Sequence, residues 1–143
     1  MRGQSLVYAP AIPVYGDYFN TGNHKYSDDV AAYLIAEHPS GGAAGISVGA
    51  FLGYQGGFFG NIFFGQHKLG TVDTFSIYWN RAQSRFDFTV NGVTKSIPYT
   101  WADASAAASP VGGIGIRNFV ANCQATPTEA AMLATISGVS VSK

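Results

Sequence analysis

The residues that could carry acid–base catalysis are few and widely separated in this sequence. The 143-residue chain holds two glutamates, Glu37 and Glu129, and three histidines, His24, His38 and His67. Glycoside hydrolysis needs two carboxyl groups fixed across one scissile bond, and these glutamates share no motif. No Gly-x-Ser-x-Gly nucleophile elbow is present, and no His/Cys cluster has the spacing of a zinc site. We therefore predict that the protein is not an enzyme.

An acidic segment early in the chain is the best metal candidate. Asp17, Asn20, Asp28 and Asp29 lie close together in sequence, and carboxylate and amide oxygens are the ligands that Ca²⁺ prefers. Asp and Asn also favour turns, where they cap the backbone. Both interpretations stay open, and calcium is the one cofactor that we consider.

Several aromatic residues could form a platform for a sugar ring. Tyr78, Tyr99 and Trp101 are the ring candidates, and Asn80 is a polar partner. The alternative is core packing, because aromatic residues make up 14% of the chain and most must be buried. The sequence therefore leaves a glycan-binding site open as one of two interpretations.

The most unusual stretch spans residues 51–65, which carry no charge. Large apolar residues stand on consecutive positions there, so in a strand they would point to both faces of the sheet. Exposed apolar patches mark interfaces, whereas the interspersed glycines would also suit an irregular buried crossing. In the first case the chain self-associates, and the anchors are Phe58, Phe59, Ile62, Phe63 and Phe64.

Composition and charge limit the partners. Lys+Arg and Asp+Glu are both 8, giving a net charge of zero, which argues against nucleic acid and anionic membranes. Zero net charge also permits association. Only 11% of the residues are charged, and small uncharged polar residues are typical of extracellular β-proteins. We expect an extracellular or cell-surface protein, although the chain shows no signal peptide and no apolar run able to span a bilayer.

The single cysteine, Cys123, cannot form a disulfide within the chain. Buried free cysteines commonly pack as small hydrophobic residues. An unpaired cysteine in an exported protein can instead form an intermolecular disulfide. The sequence leaves both roles open for Cys123.

The elements that must position these residues alternate with a period of two. Asn91-Gly92 predicts a type I′ hairpin turn, and the many turn signals predict about nine or ten short strands. We predict an all-β, antiparallel two-sheet β-sandwich that forms one domain over residues 1–143. Three inward-facing series carry this prediction: Ile46, Val48, Ala50 and Leu52; Phe75, Ile77 and Trp79; and Phe86, Phe88 and Val90.

The chain resembles the concanavalin-like (laminin-G-like) jelly rolls of bacterial exported proteins in three stretches: residues 14–22 with 29–33, residues 69–79 with 86–92, and residues 136–141. The resemblance covers most of the chain and implies a jelly roll. That fold hosts lectins, glycosidases, adhesion modules and structural subunits, so it does not fix the function. The paired-glutamate motif of its glycosidases and the galectin-type signature are both absent.

Two functions follow from the sequence. The first is a non-catalytic structural or interaction subunit that self-associates outside the cell, as in a filament, a surface layer or an adhesion assembly. The alternative is a carbohydrate-binding, lectin-like module. The expected partners are further copies of the chain or glycans, with no nucleic acid and no insertion into a membrane.

Overall fold

A computed structural model describes residues 11–22, 28–38, 45–54, 57–102, 105–106, 115–116 and 137–138. The side chains at 11–13, 54, 57–58, 105–106 and 115–116 lie outside this description. The described chain is all-β, with a 3₁₀ turn over Arg81–Gln83, and none of its helices is long and apolar enough to cross a bilayer. Its strands are β1 (Ala11–Asn20), β2 (Asp29–Glu37), β3 (Ile46–Tyr54), β4 (Gly57–His67), β5 (Phe75–Asn80), β6 (Arg85–Val90), β7 (Val93–Pro98), β8 (Ser105–Ala106) and β9 (Gly115–Ile116).

The strands form two antiparallel sheets. The first has the order β4-β3-β2-β1-β8, with β9 also paired to β1, and the second has the order β5-β6-β7. Consecutive strands are therefore neighbours from β1 to β4 and from β5 to β7, as short antiparallel connections favour. The all-β class and the antiparallel pairing predicted from the alternation are confirmed.

One hydrophobic cluster contains buried residues from both sheets. The even-numbered residues of β2 and β3 contribute to this cluster from the first sheet, and those of β6 contribute from the second sheet. Burying each large side chain contributes roughly 1.5–3 kcal/mol before the entropy of ordering is subtracted. The arrangement is a β-sandwich-like fold, and its buried members are Phe19, Val30, Ala32, Leu34, Ile46, Val48, Ala50, Leu52, Phe86, Phe88, Val90, Ile97 and Tyr99.

The hairpin between β6 and β7 forms where the sequence predicts it. Asn91 has φ +50 and Gly92 has φ +80, which is the left-handed region required at both central positions of a type I′ turn. The Asn91 amide group also accepts a hydrogen bond from the Thr74 backbone N–H at 2.9 Å. The turn chemistry therefore fixes the register of this hairpin.

Several predicted features lie outside the described residues. These are the first strand at residues 4–8, most of the last strand at residues 136–141, and the role of Cys123. The described pair 137–138 is not in a strand, and Gly138 has φ +66. The Ala- and Ser-rich sequence of residues 100–109 is compatible with one short helical turn, but the described pair Ser105–Ala106 is a strand that pairs with β1.

Candidate functional site

The apolar segment at residues 51–65 covers the end of β3 and most of β4, and β4 is a bulged antiparallel strand rather than an irregular crossing. β4 pairs with β3 along Gly57–His67. Phe59 is 47% exposed and Phe63 is 59% exposed, whereas Ile62 and Phe64 pack against the core. The exposed side chains of Phe59, Asn61 and Phe63 are called the β4 face below. The strand thus has both exposed and core-facing apolar side chains, self-association through them stays a prediction, and the side chain of Phe58 lies outside the described residues.

Two register irregularities set which β4 side chains face the core. The pairing shifts between Leu52 and Gly53, and again between Val48 and Gly49. Each shift leaves one extra residue on β4, Phe59 in the first case and Phe64 in the second. An extra residue in a β-bulge breaks the strict alternation, which is why consecutive aromatic residues fit in one strand.

Aromatic side chains extend from the β4 face across the first sheet. Asn61 is opposite Phe51, which is opposite Tyr33. The Phe51 and Tyr33 rings stack with centroids 4.7 Å apart, and Tyr33 stacks on Tyr15 at 5.6 Å. Since Leu34 and Leu52 on the same strands face the core cluster, this row lies on the opposite face of the sheet.

Trp101, which packs against the core cluster, contacts Phe59 of the β4 face. Its ring meets the Phe59 ring edge-on with centroids 4.5 Å apart and stacks on Tyr99 at 6.2 Å. Aromatic pairs in these geometries contribute about 0.5–1.5 kcal/mol beyond burial of area. Phe59 is therefore held in place while about half of its surface stays in contact with solvent.

The four residues predicted to bind carbohydrate do not form one site, because Tyr99 and Trp101 stack on each other whereas Tyr78 is exposed on the other side of the second sheet. Tyr99 is buried, and its hydroxyl oxygen accepts a hydrogen bond from Trp79 Nε1 at 2.9 Å. Trp101 belongs beside Phe59, as described above. Tyr78 is 62% exposed on β5, and the Asn80 amide oxygen caps the 3₁₀ turn by accepting from the Gln83 backbone N–H at 3.2 Å.

The outer face of the second sheet is polar around Tyr78. Tyr78 is opposite Asp87, which is opposite Ser96. Arg85 Nε lies 2.8 Å from Asp87 Oδ1, and the Ser96 hydroxyl donates to the same oxygen. Partial burial acts to raise the pKa of Asp87, but the hydrogen bonds from Ser96 and Arg85 and the Arg85 charge outweigh it, so this pKa is lowered.

The acidic segment uses several of its oxygens for structural contacts. Asn20 Nδ2 donates to Asp29 Oδ1 at 3.0 Å in a buried contact, and Asn20 Oδ1 accepts from the Gly22 backbone N–H at 2.9 Å. The Asp28 carboxylate lies against Gly22, where an added Cβ would be 2.9 Å from Asp28 Oδ2. Among the described residues, no three His, Cys, Asp or Glu side chains group closely enough to hold a metal ion. Calcium binding through Asp17 and these residues stays a prediction.

Tyr18, next to Asp17, faces the core cluster instead of solvent. Its ring meets Phe86 edge-on with centroids 4.9 Å apart. Burial, followed by the Asp17 charge, raises the pKa of Tyr18 to about 12. Both causes disfavour the charged phenolate, so this hydroxyl stays protonated at neutral pH.

A polar cluster that the sequence analysis missed joins β4 to the β6–β7 hairpin. His67 Nδ1 lies 2.9 Å from Asp73 Oδ1, and Asn91 Nδ2 donates to the same oxygen at 2.7 Å. Partial burial acts to raise the pKa of Asp73, but the hydrogen bonds from Asn91 and His67 and the His67 charge lower it overall. These residues are up to 24 positions apart in sequence (67 to 91), so no local motif signals the contact.

The chain matches no protein-family model, no curated protein and no solved structure. The resemblance to concanavalin-like domains therefore stays a prediction beyond the β-sandwich-like fold. The function has to be inferred from the residues described above.

Proposed function

We propose that this protein is a non-catalytic structural or interaction subunit that associates with further copies of itself through the β4 face. The observation that carries the proposal is the exposure of Phe59 and Phe63, at 47% and 59%, on a strand without Lys, Arg, Asp or Glu. Solvent-exposed aromatic rings anchor many protein interfaces. A second copy would remove both rings from water.

Charge does not oppose this association. The net charge is zero, so two copies approach without overall repulsion. The low content of charged side chains also supports our proposal that assembly takes place outside the cell or at its surface. Our proposal for the finer fold is a jelly-roll sandwich of the concanavalin-like type; the core cluster shared by the two sheets supports the sandwich part of it.

Phe59→Ser combined with Phe63→Ser tests this function. Burying the exposed half of each ring is worth roughly 1–1.5 kcal/mol, so the pair should weaken association at least about tenfold. Sedimentation velocity over a wide concentration range measures the shift. The matched control is Leu69→Ser with Val72→Ser, which removes two exposed apolar side chains from the connection between β4 and β5.

We expect the wild-type protein and the control to associate alike and the Phe59/Phe63 variant to dissociate. A wild-type protein that stays monomeric at high concentration would refute the proposal, and so would a Phe59/Phe63 variant that assembles normally. A non-reducing gel of the same samples shows whether Cys123 links copies covalently.

Carbohydrate binding is the second candidate, and one observation favours it. Tyr78, at 62% exposure, stands on a face whose neighbours carry hydroxyl groups. Thr89 and Thr94 hydroxyls lie 2.8 Å apart, and Ser96 lies in the row of Tyr78. An exposed ring beside hydroxyl and carboxylate groups suits stacking on a sugar together with hydrogen bonds to it.

A glycan array with the wild-type protein and Tyr78→Ala tests the second candidate, with and without Ca²⁺. Binding that disappears in Tyr78→Ala would support the Tyr78 face. The matched control is Tyr99→Phe, which alters a buried hydroxyl. An array without hits in either condition counts against carbohydrate binding.

A further inference from the structure

Lys95 interrupts an otherwise apolar series on the inner side of β7. Lys95 is directly opposite Phe88, and its neighbours in the series, Val93 and Ile97, are opposite Val90 and Phe86. Since Phe86, Phe88 and Val90 are buried in the core, residues opposite them lie on the same side of the sheet. A lysine therefore stands where the alternation calls for an apolar residue.

The Lys95 side chain reaches across to β4 in the other sheet. Its Nζ donates a hydrogen bond to the backbone carbonyl oxygen of Phe63 at 2.7 Å and lies 5.2 Å from the centroid of the Phe64 ring. The Phe63 carbonyl group thus faces β7 and points away from β3. Lys95 occupies a backbone acceptor on the outer edge of β4.

β4 has the properties of an edge strand that could pair with another chain. Within the described residues it pairs only with β3, and its eleven residues include no Lys, Arg, Asp or Glu. Unpaired edges are templates for further strands, and proteins protect them with bulges and with inward-pointing charged residues, especially lysine. β4 has two bulges, and Lys95 supplies the inward-pointing charge.

We propose that the outer edge of β4 is a pairing surface for the same edge of a second copy. Lys95 hinders this pairing because its ammonium group occupies the Phe63 carbonyl oxygen. Two copies of one edge are self-complementary when they meet antiparallel about a two-fold axis. An uncharged strand in a chain of zero net charge presents no repulsion to its own copy. Lys95 is itself exposed, so its side chain has room to move aside.

This edge is distinct from the β4 face. The face presents the Phe59 and Phe63 side chains, whereas the edge presents backbone groups such as the Phe63 carbonyl. The two proposals therefore stand independently. A monomeric wild-type protein refutes face association and leaves the role of Lys95 intact.

Lys95→Met tests the role of Lys95 because methionine keeps much of the length but has no donor. We expect the variant to reach half-association at a concentration at least about tenfold below that of the wild type, measured by sedimentation velocity. Lys95→Arg is the matched control, because arginine keeps the charge and the donors, and it should behave as the wild type. Lys95→Leu, which also has no donor, serves in place of Lys95→Met if that variant does not fold.

A second substitution identifies the surface that pairs. Asn61 precedes Phe63 by two residues without an intervening bulge, so its backbone N–H points to the same outer edge. Asn61→Pro removes that donor, and proline is tolerated on edge strands. Lys95→Met with Asn61→Pro should return to the wild-type concentration dependence.

Two results would overturn the proposal. One is a folded Lys95→Met or Lys95→Leu variant with the wild-type concentration dependence, since Lys95 would then not prevent pairing at the edge. The other is association of Lys95→Met that persists after Asn61→Pro, which would place the contact on another surface. Adding Phe59→Ser and Phe63→Ser to Lys95→Met should leave the edge-mediated association in place.

Discussion

Gly60 and Ile97 offer a direct test of how the two sheets pack. Gly60 is opposite Leu52, a buried core residue. A Cβ added to Gly60 would lie only 2.7 Å from Ile97 Cγ2, a distance that real Cβ atoms do not tolerate. Gly60→Ala therefore forces β4 and β7 apart or moves Ile97 from its place.

The expected change in the free energy of unfolding of Gly60→Ala combines two opposing effects. Overpacking a well-packed core costs about 1–3 kcal/mol, and replacing glycine by alanine in a strand recovers about 0.5–1 kcal/mol of backbone entropy. Gly60→Ala should thus lower the free energy of unfolding by about 0.5–2 kcal/mol. Ile97→Ala should lower it by about 2–5 kcal/mol, since Ile97 is buried.

The free energy of unfolding of the double variant, Gly60→Ala with Ile97→Ala, is the decisive measurement. Ile97→Ala removes the Cγ2 atom that Gly60→Ala meets, so the two losses should overlap by about 0.5 kcal/mol or more. Urea unfolding followed by tryptophan fluorescence gives the four free energies. Gly49→Ala is the control, because its added Cβ would meet only the Ile62 carbonyl oxygen, at 3.3 Å. Losses that add within about 0.3–0.5 kcal/mol would refute the packing of β4 on β7.

Two further predictions concern pH. The pKa of Tyr18 is raised to about 12, whereas an unfolded tyrosine has a pKa of about 10. The contribution of protonated Tyr18 to the free energy of unfolding is therefore fully present below the unfolded value and is lost as the pH rises through about 12. Tyr18→Phe should remove this alkaline loss, and a difference spectrum of the two proteins at 295 nm should show one late-titrating phenol. The pKa of Asp87 is lowered, so its contribution is present above the unfolded pKa of about 4 and is lost as the pH falls through the lowered value. Asp87→Asn should flatten the acid limb of the unfolding free energy, and an unchanged limb would contradict the Arg85 and Ser96 contacts.

The parts of the fold that depend on local chemistry could be predicted from the sequence. Asn91-Gly92 specifies its turn because only certain residues adopt positive φ easily. The buried positions Phe86, Phe88 and Val90 follow from strict alternation, because a half-buried strand has a period of two. The positive φ values and the burial of these residues agree with both predictions.

The contacts between distant elements could not be predicted in the same way. Trp79 and Tyr99 share a hydrogen bond at 2.9 Å although 20 positions separate them. Tyr99 therefore looked available for a ligand in the sequence, whereas in the fold its hydroxyl oxygen accepts from the indole N–H. Lys95 is a related case, since a lysine in a short strand indicates solvent exposure but does not reveal the carbonyl group that it meets.

The second bulge of β4 explains why the polar cluster at its end forms at all. With Phe64 as the extra residue, Gln66 is opposite Ser47 and His67 is opposite Ile46. Without the extra residue, the pairing would slip by one position, and Gln66 would lie opposite Ile46 on the core side. The observed register instead lets Gln66 Nε2 donate to Ser47 Oγ at 2.7 Å and brings His67 to Asp73. One inserted residue thus keeps the Gln66 amide out of the core and brings His67 within reach of Asp73. The exposure of Phe63 does not depend on it, because Phe63 is opposite Gly49 on the near side of the bulge. Removing the inserted residue should therefore abolish the Gln66–Ser47 and His67–Asp73 contacts together and leave the Phe63 ring exposed.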